Sequence, residues 1–192
     1  MQSQILVEYI KESPKLRFNQ CDIVRDISIV SQNDLDENQQ AIIIKTNLDY
    51  ALVINQDCDL EQDFNNKAKV TADSHDKFLP TIIFLPAYIA ARFRSGTHRG
   101  NEIKAMNWNS DKWKEIKSNQ NPRFHHIQPN ETFQLPELVI DFKHLYAMNR
   151  DLAYKSLPSI YFLSFAEVYR ENISQRYTSY LGRIGLPDNI AE

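Results

Sequence analysis

Glycine is scarce in this chain, with four in 192 residues. Neither GxGxxG nor a GxxxxGKS/T loop occurs, so the familiar glycine-cradled nucleotide sites are excluded and no cofactor is expected. Cysteine is nearly absent as well. Cys21 and Cys58 are too few for a disulfide framework or a zinc ribbon. They read as two reduced thiols in a cytosolic setting, with a single bridge between them as the alternative. There is no run of 18 apolar residues, and Met1-Gln2-Ser3-Gln4 lacks the charged start of a secretion signal. The expectation is a cytoplasmic protein without a membrane segment. The net charge of −3 is too mild to point to a partner.

What remains is enough for a core: 42% hydrophobic and 11% aromatic residues in a length that suits one domain, here residues 1–192. The segment 5–10 suits a short helix or a strand, ended by Pro14. Three β-branched runs follow, at 21–30, 41–44 and 50–54. A polar loop is expected at 31–38 and a hairpin connection at 45–49. Residues 81–85 form another strand, after which Pro86 suits the first turn of a helix over 87–93. Residues 95–130 are polar and basic with little apolar periodicity. They read as an insertion or long functional loop, containing a short helix over 110–117 capped by Ser110. Strand signal returns at 138–142 and 160–163. Ser164-Phe165-Ala166-Glu167 then reads as a capping box. It opens an amphipathic helix through Val168, Tyr169, Ile173, Tyr177, Tyr180, Leu181 and Ile184, with Gly182 and Gly185 at its end. Short strands without βα alternation predict a mainly β protein with helices (α+β). The expected form is a small SH3-like barrel with an inserted basic segment and a C-terminal amphipathic helix.

The pattern resembles the MazF/PemK toxin family. Phe18-Asn19-Gln20-Cys21-Asp22-Ile23-Val24 is similar to that family's opening G-D-I strand, with Cys21 in the place of glycine. Asp49-Tyr50-Ala51-Leu52-Val53-Ile54 is similar to its R-P-x-L-V-I strand, and Thr81-Ile82-Ile83-Phe84-Leu85-Pro86 to its V-I-V-x-P strand. Residues 138–186 follow its ending of strand, polar turn and helix. The resemblance implies a compact barrel descended from RNA-cutting enzymes. Asp49 and Tyr50, however, stand where the family's catalytic arginine belongs, and Pro86 and Ala87 where its threonine belongs. That chemistry is therefore expected to be lost or replaced. A narrower resemblance, on Asn55-Gln56-Asp57-Cys58-Asp59-Leu60 after an apolar strand, is to bacterial proteins linked to host–phage conflict. It implies an antiviral setting and no particular reaction.

Two groups of residues could carry function. The first is Asp57, Cys58 and Asp59 leaving a strand, with His125 and His126 as potential partners for the thiol. Two flanking carboxylates work against a nucleophilic thiolate. A metal site from these carboxylates, the thiol and a histidine lacks diagnostic ligand spacing, so no metal is expected. A packed thiol with hydrogen-bonding aspartates is the leading reading of the three. The second group is the segment 92–126, with eight cations against three carboxylates, a local charge of +5. Arg92, Arg94, Arg99, Lys104, Lys112, Lys114, Lys117 and Arg123 are interleaved with Phe93, Trp108, Trp113 and Phe124. Cations grip phosphates and aromatic faces stack on unpaired bases, so RNA or single-stranded DNA is one expected ligand. A protein partner encoded nearby is the other, because Trp and Arg also anchor protein interfaces. The aromatic face of the last helix serves either the core or a homodimer. The functional expectation is a binding or adaptor protein of a bacterial defence or toxin-like system. A divergent ribonuclease or a Cys58-dependent hydrolase is the alternative.

Overall fold

The computed structural model describes residues 8–67, 69, 76–100 and 106–183. After the short strand β1 (Tyr9–Ile10) come two long strands, β2 (Ile23–Leu35) and β3 (Ala41–Val53). They pair antiparallel along almost their whole length, from Ile23↔Leu52 out to Leu35↔Ala41. The turn is made at 36–40, where Asp36 Oδ1 accepts the N–H groups of Asn38 and Gln40 at 2.8 and 2.7 Å. That Asx-type closure replaces the expected hairpin at 45–49, which instead lies inside β3. Thr46 and Asn47 pair with Ile29 and Ser28, because cross-strand partners are available along the whole of β2 and no break is needed there.

Helix α1 (Asp57–Lys67) leaves β3 and leads to β4 (Thr81–Ile89). Residues 57–59, expected in a loop, form the first turn of α1, with acidic side chains at the positive end of the helix. Pro86 lies within β4 rather than opening a helix. The Ile54 N–H to Ile83 C=O bond sets the alternation of the β3–β4 ladder, so the Ala51↔Pro86 pair exchanges no hydrogen bonds. On its other edge β4 pairs with one strand at Thr81–Phe84 and another at Ala87–Ile89. Pro86 falls between the two, where a missing N–H costs nothing. Helix α2 (Ala90–Ser95) follows and ends on Gly96 at φ 77°.

Helix α3 (Ser110–Lys117) is where the sequence predicts it, but its cap is Asn109, whose side chain accepts the Lys112 N–H. Next come β5 (Phe124–Ile127), β6 (Leu138–Asp141), β7 (Tyr146–Asn149), α4 (Arg150–Ile160), β8 (Tyr161–Phe165) and α5 (Glu167–Leu181). The expected capping box does not form. Ala166 is the N-cap without a side-chain bond, while Ser164 sits in β8 and donates to buried Asp22 at 2.6 Å. Ile5, Ile184 and Gly185, read as parts of terminal elements, lie outside the described residues.

The strands form one antiparallel sheet in the order β1-β8-β2-β3-β4-β6-β5, with β7 also on β4, curled into a half-barrel. The fold is α+β and barrel-like, as expected. Both faces of the central strands are covered. Ile23, Leu52, Leu85 and Ile140 meet Phe142 and Ile173 of α5 on one face, with Tyr169, Tyr177 and Tyr180 packed against them. Val24, Ala51, Val53, Ile82 and Phe84 meet Phe18, Leu60 of α1 and Leu157 of α4 on the other. Covering both faces is why these strands read as continuous apolar runs rather than as alternation. A third, smaller cluster joins Ala90, Phe93, Trp113, Ile116, Phe124 and Val139. Among the described residues, no helix is long and apolar enough to cross a membrane.

Candidate nucleic-acid interface

The third cluster organises the basic segment. Phe93 projects from α2, Trp113 and Ile116 from α3 and Phe124 from β5, each buried to 8% exposure or less. Phe93 lies nearly parallel to half-buried Trp108 at 5.8 Å and edge-on to Phe124 at 4.9 Å. The segment therefore carries its own hydrophobic nucleus, and the rings of Phe93, Trp113 and Phe124 are spent on it, with Trp108 only partly buried against them. Such rings contribute about 0.5–1.5 kcal/mol per pair beyond burial. Arg176 of α5 donates to the backbone carbonyls of Asn119, Asn121 and Phe124, fixing the α3–β5 turn. Asn119 adds a 2.7 Å bond from the His126 N–H.

The cations divide into two sets. Arg123 is bound to buried Asp141 through Nε at 2.8 Å and Nη2 at 2.7 Å, and Arg92 to Asp49 at 2.8 Å. Burial works against ionisation of Asp141. The bonds from His144 and Arg123 outweigh it and hold the carboxyl far below the usual range. The second set is exposed. Arg94, Arg99 and Lys112 form no ion pair among the described residues, and Lys114 reaches Asp111 only at 4.0 Å. Helical geometry puts Lys114 and Lys117 on one flank of α3 and Lys112 on the other. Lys104 lies outside the described residues.

Between α2 and α3 runs an open groove of about 510 Å³, lined by Ala91, Arg94, Asn107, Trp113, Lys117 and Glu137. The Arg94 guanidinium lies 5.8 Å from the Trp113 ring centre. Glu137 is shared by His126 Nε2 at 2.7 Å and Lys117 Nζ at 3.4 Å. Burial opposes its charge, but the bond from His126 and the charge of Lys117 hold the carboxyl below its ordinary value. The sequence-predicted residues Arg94, Trp113 and Lys117 are thus brought to one groove.

The other candidate group is distributed differently. Cys58 is exposed on α1, with its Sγ 3.7 Å from Gln56 Oε1 and 3.8 Å from Asp59 Oδ1. Asp57 ties the chain together: it accepts the Gln20 N–H at 3.1 Å, pairs with Arg17 at 3.4 Å and lies 3.6 Å from Arg170 of α5. His125 and His126 are buried on successive positions of β5, whose side chains point to opposite faces, His125 toward Phe142 and His126 toward Trp113. His125 is pushed down to about 3, chiefly by burial and then by the charges of Arg176 and His126. Among the described residues no hydrogen bond joins Cys58 to either histidine, and no group of three or more metal-type side chains is found. The other thiol, Cys21, is buried at φ 63°, in the left-handed region that favours glycine. Burial raises it to about 12, so it is an inert packing thiol.

Sequence reasoning passed over His98, inside the basic segment, and His144, which lines the same pocket as His98. His98 is wedged between Tyr88 at 4.5 Å and Phe93 at 4.8 Å. His144 Nδ1 lies 3.0 Å from Asp141 Oδ2. A lone histidine in a polar stretch carries no pattern, so nothing in the sequence singles them out. Neither a protein-family model nor a curated protein matches this chain.

Proposed function

We propose that the chain is a nucleic-acid-binding module that holds the phosphate backbone of RNA or single-stranded DNA along the α2–α3 corner. In this reading it is the binding or adaptor component of a bacterial defence or toxin-like system. The observation that supports it most is the set of exposed cations Arg94, Lys112, Lys114 and Lys117 on a small nucleus of their own. These charges contribute nothing to the core, while other cations of the chain are consumed by buried carboxylates. Since Trp113, Phe93 and Phe124 are packed inward, the expected contact is to phosphates, with little preference among bases.

The barrel-like sheet is compatible with a MazF/PemK-like ancestry in which the fold was kept and the cutting chemistry was not. An arginine does stand beside Asp49, but it is Arg92 of α2, held in an ion pair. The exposed position of Cys58 away from a histidine partner gives the hydrolase alternative no support.

The test is an anisotropy titration of labelled single-stranded RNA and DNA at two salt concentrations. Binding should weaken steeply with salt, by a slope of about 0.7 per phosphate contact. The Arg94→Ala/Lys114→Ala/Lys117→Ala variant should lose about 2 of that slope. The absence of binding by the wild type at low salt would remove the proposal and turn attention to a protein partner.

A further inference from the structure

A second pocket, of about 240 Å³, lies on the other side of the Phe93–Phe124 nucleus, lined among others by His98, Arg99, Trp108, Arg123, Lys143 and His144. Four parts of the chain converge on it: the turn after α2, the irregular segment 106–109 before α3, the start of β5 and the turn after β6. Its polar wall has a defined charge. Arg99, Arg123 and Lys143 are its cations; among the described lining residues the facing carboxylate is Asp141, which accepts from Arg123 and the Lys143 N–H and lies 3.0 Å from His144 Nδ1. Among the described lining residues the residual charge is +2 before either histidine takes a proton, since three cations face one carboxylate. Arg99 and Lys143 are exposed and form no ion pair among the described residues. The fork from Arg123 to Asp141 uses Nε and Nη2, which leaves Nη1 outside it. The apolar wall is Trp108 stacked on Phe93, with interplanar angle 12°, and exposed Met106 beside it.

We infer that this pocket binds a phosphomonoester dianion carried on a nucleoside, either the terminal phosphate of a strand or a free nucleotide. The strand-end form of the inference rests on the function proposed above. A phosphomonoester carries about −1.5 to −2 at pH 7, matching the residual charge, and offers three acceptor oxygens. Arg123 supplies a donor already oriented by Asp141, so little freedom is lost on binding. Arg99 and Lys143 close on the remaining oxygens. The half-buried Trp108 ring presents a flat apolar surface where the attached sugar or base would rest.

The experiment compares the same short oligonucleotide with a 5′-phosphate, with a 3′-phosphate and with neither, alongside adenosine 5′-monophosphate, adenosine and inorganic phosphate. Binding is read by calorimetry and by the histidine ring signals in NMR spectra. The expected result is at least about tenfold tighter binding of one phosphorylated form than of the unphosphorylated strand. Resonances of His98 and His144 should move, and both effects should be lost in Arg99→Ala/Lys143→Ala. Both positions are exposed, so the variant should keep its thermal midpoint. A preference seen with strands and not with the mononucleotide assigns a strand end; tight mononucleotide binding without strand preference assigns a free nucleotide. Equal affinity for all strands, with no histidine response to monophosphate, overturns the inference. In that event, salt-sensitive strand binding that depends on Arg94 and Lys117 would leave the backbone-binding proposal standing.

Discussion

The body of the half-barrel and its α2–α3 corner use the same side chains for opposite purposes. In the body, Lys15 is buried and bonded to Asp22, Glu12 and Ser164, and Arg150 grips fully buried Asp63 at 2.7 Å while lying over the Tyr154 ring. In the corner, Arg94 lies over Trp113 and Lys112 stands in solvent, with no carboxylate on either among the described residues. Both regions set cations beside aromatic rings, although only the corner is basic: outside 92–126 the chain has 14 cations against 22 carboxylates, the totals of 22 and 25 less the corner's 8 and 3. The difference is where the acids are: Asp22, Asp63 and Asp141 stand 7, 87 and 18 residues along the chain from Lys15, Arg150 and Arg123, and each consumes the cation that folds beside it. An arginine beside an aromatic ring is therefore a structural bolt or a ligand-binding group according to what folds onto it.

The largest effect should come from breaking a bolt. Asp63→Ala leaves Arg150 with only the exposed Asp151 carboxylate at 3.2 Å and removes the acceptor of the Leu79 N–H. A loss of about 3–5 kcal/mol is expected in denaturant unfolding. A change below about 1 kcal/mol would place Asp63 with the ordinary surface charges.

Next are two pH effects of opposite sign, one from each region. Asp22 is raised to about 6 by burial, against the opposing influence of Lys15 and Ser164. The folded state holds its proton more tightly than the unfolded chain, so this contribution is present below about pH 4 and lost as pH rises through about 6. His125, in β5 at the corner, is held down to about 3 by burial first. The unfolded chain takes a proton that the folded one refuses, so this contribution is present above about pH 6.5 and disappears as pH falls toward about 3. Its size is on the order of 5 kcal/mol. His125→Gln should flatten the acid limb of the stability curve, and Asp22→Asn should flatten the decline between about pH 4 and 6. If neither variant alters the curve's shape, the two groups titrate alike in both states.

A smaller effect on stability is expected from the corner cations. Arg94→Ala/Lys114→Ala/Lys117→Ala should shift unfolding by less than about 1 kcal/mol while weakening strand binding strongly. A large destabilisation would move these residues into the structural class. The smallest effect belongs to the distal part of the β2–β3 ribbon. There Ile43 is 60% exposed, whereas Ile27 and Ile29 nearer the body are buried. Ile43→Thr should stay within about 0.5 kcal/mol, whereas Ile27→Ala should cost about 2–5 kcal/mol.

Much of the fold can be read from residue patterns. The β-branched runs at 21–30, 50–54, 81–85 and 138–142 all become strands, the helix over 110–117 forms in a segment of little apolar periodicity, and the helix after residue 166 forms where apolar spacing places it. Their boundaries move where a distant partner competes. Ser164 serves Asp22 instead of capping α5, and Pro86 stays in a strand because β4 changes neighbours there. Strands β5 and β7 are harder to read. Phe124-His125-His126-Ile127 and Tyr146-Ala147-Met148-Asn149 are four residues each and lack an apolar run, so only their pairing with β6 and β4 makes them strands.

Composition and local pattern alone determined the fold class, the scarcity of nucleotide loops and the position of the basic segment, because burial of apolar runs and the turn chemistry of proline and aspartate act over a few residues. Which cations are free, where His98 and His144 meet Arg99, and which thiol is packed away were decided only by tertiary structure. Those outcomes depend on which carboxylate or ring arrives from elsewhere in the chain, and a desolvated charge is governed by its neighbours in space rather than in sequence.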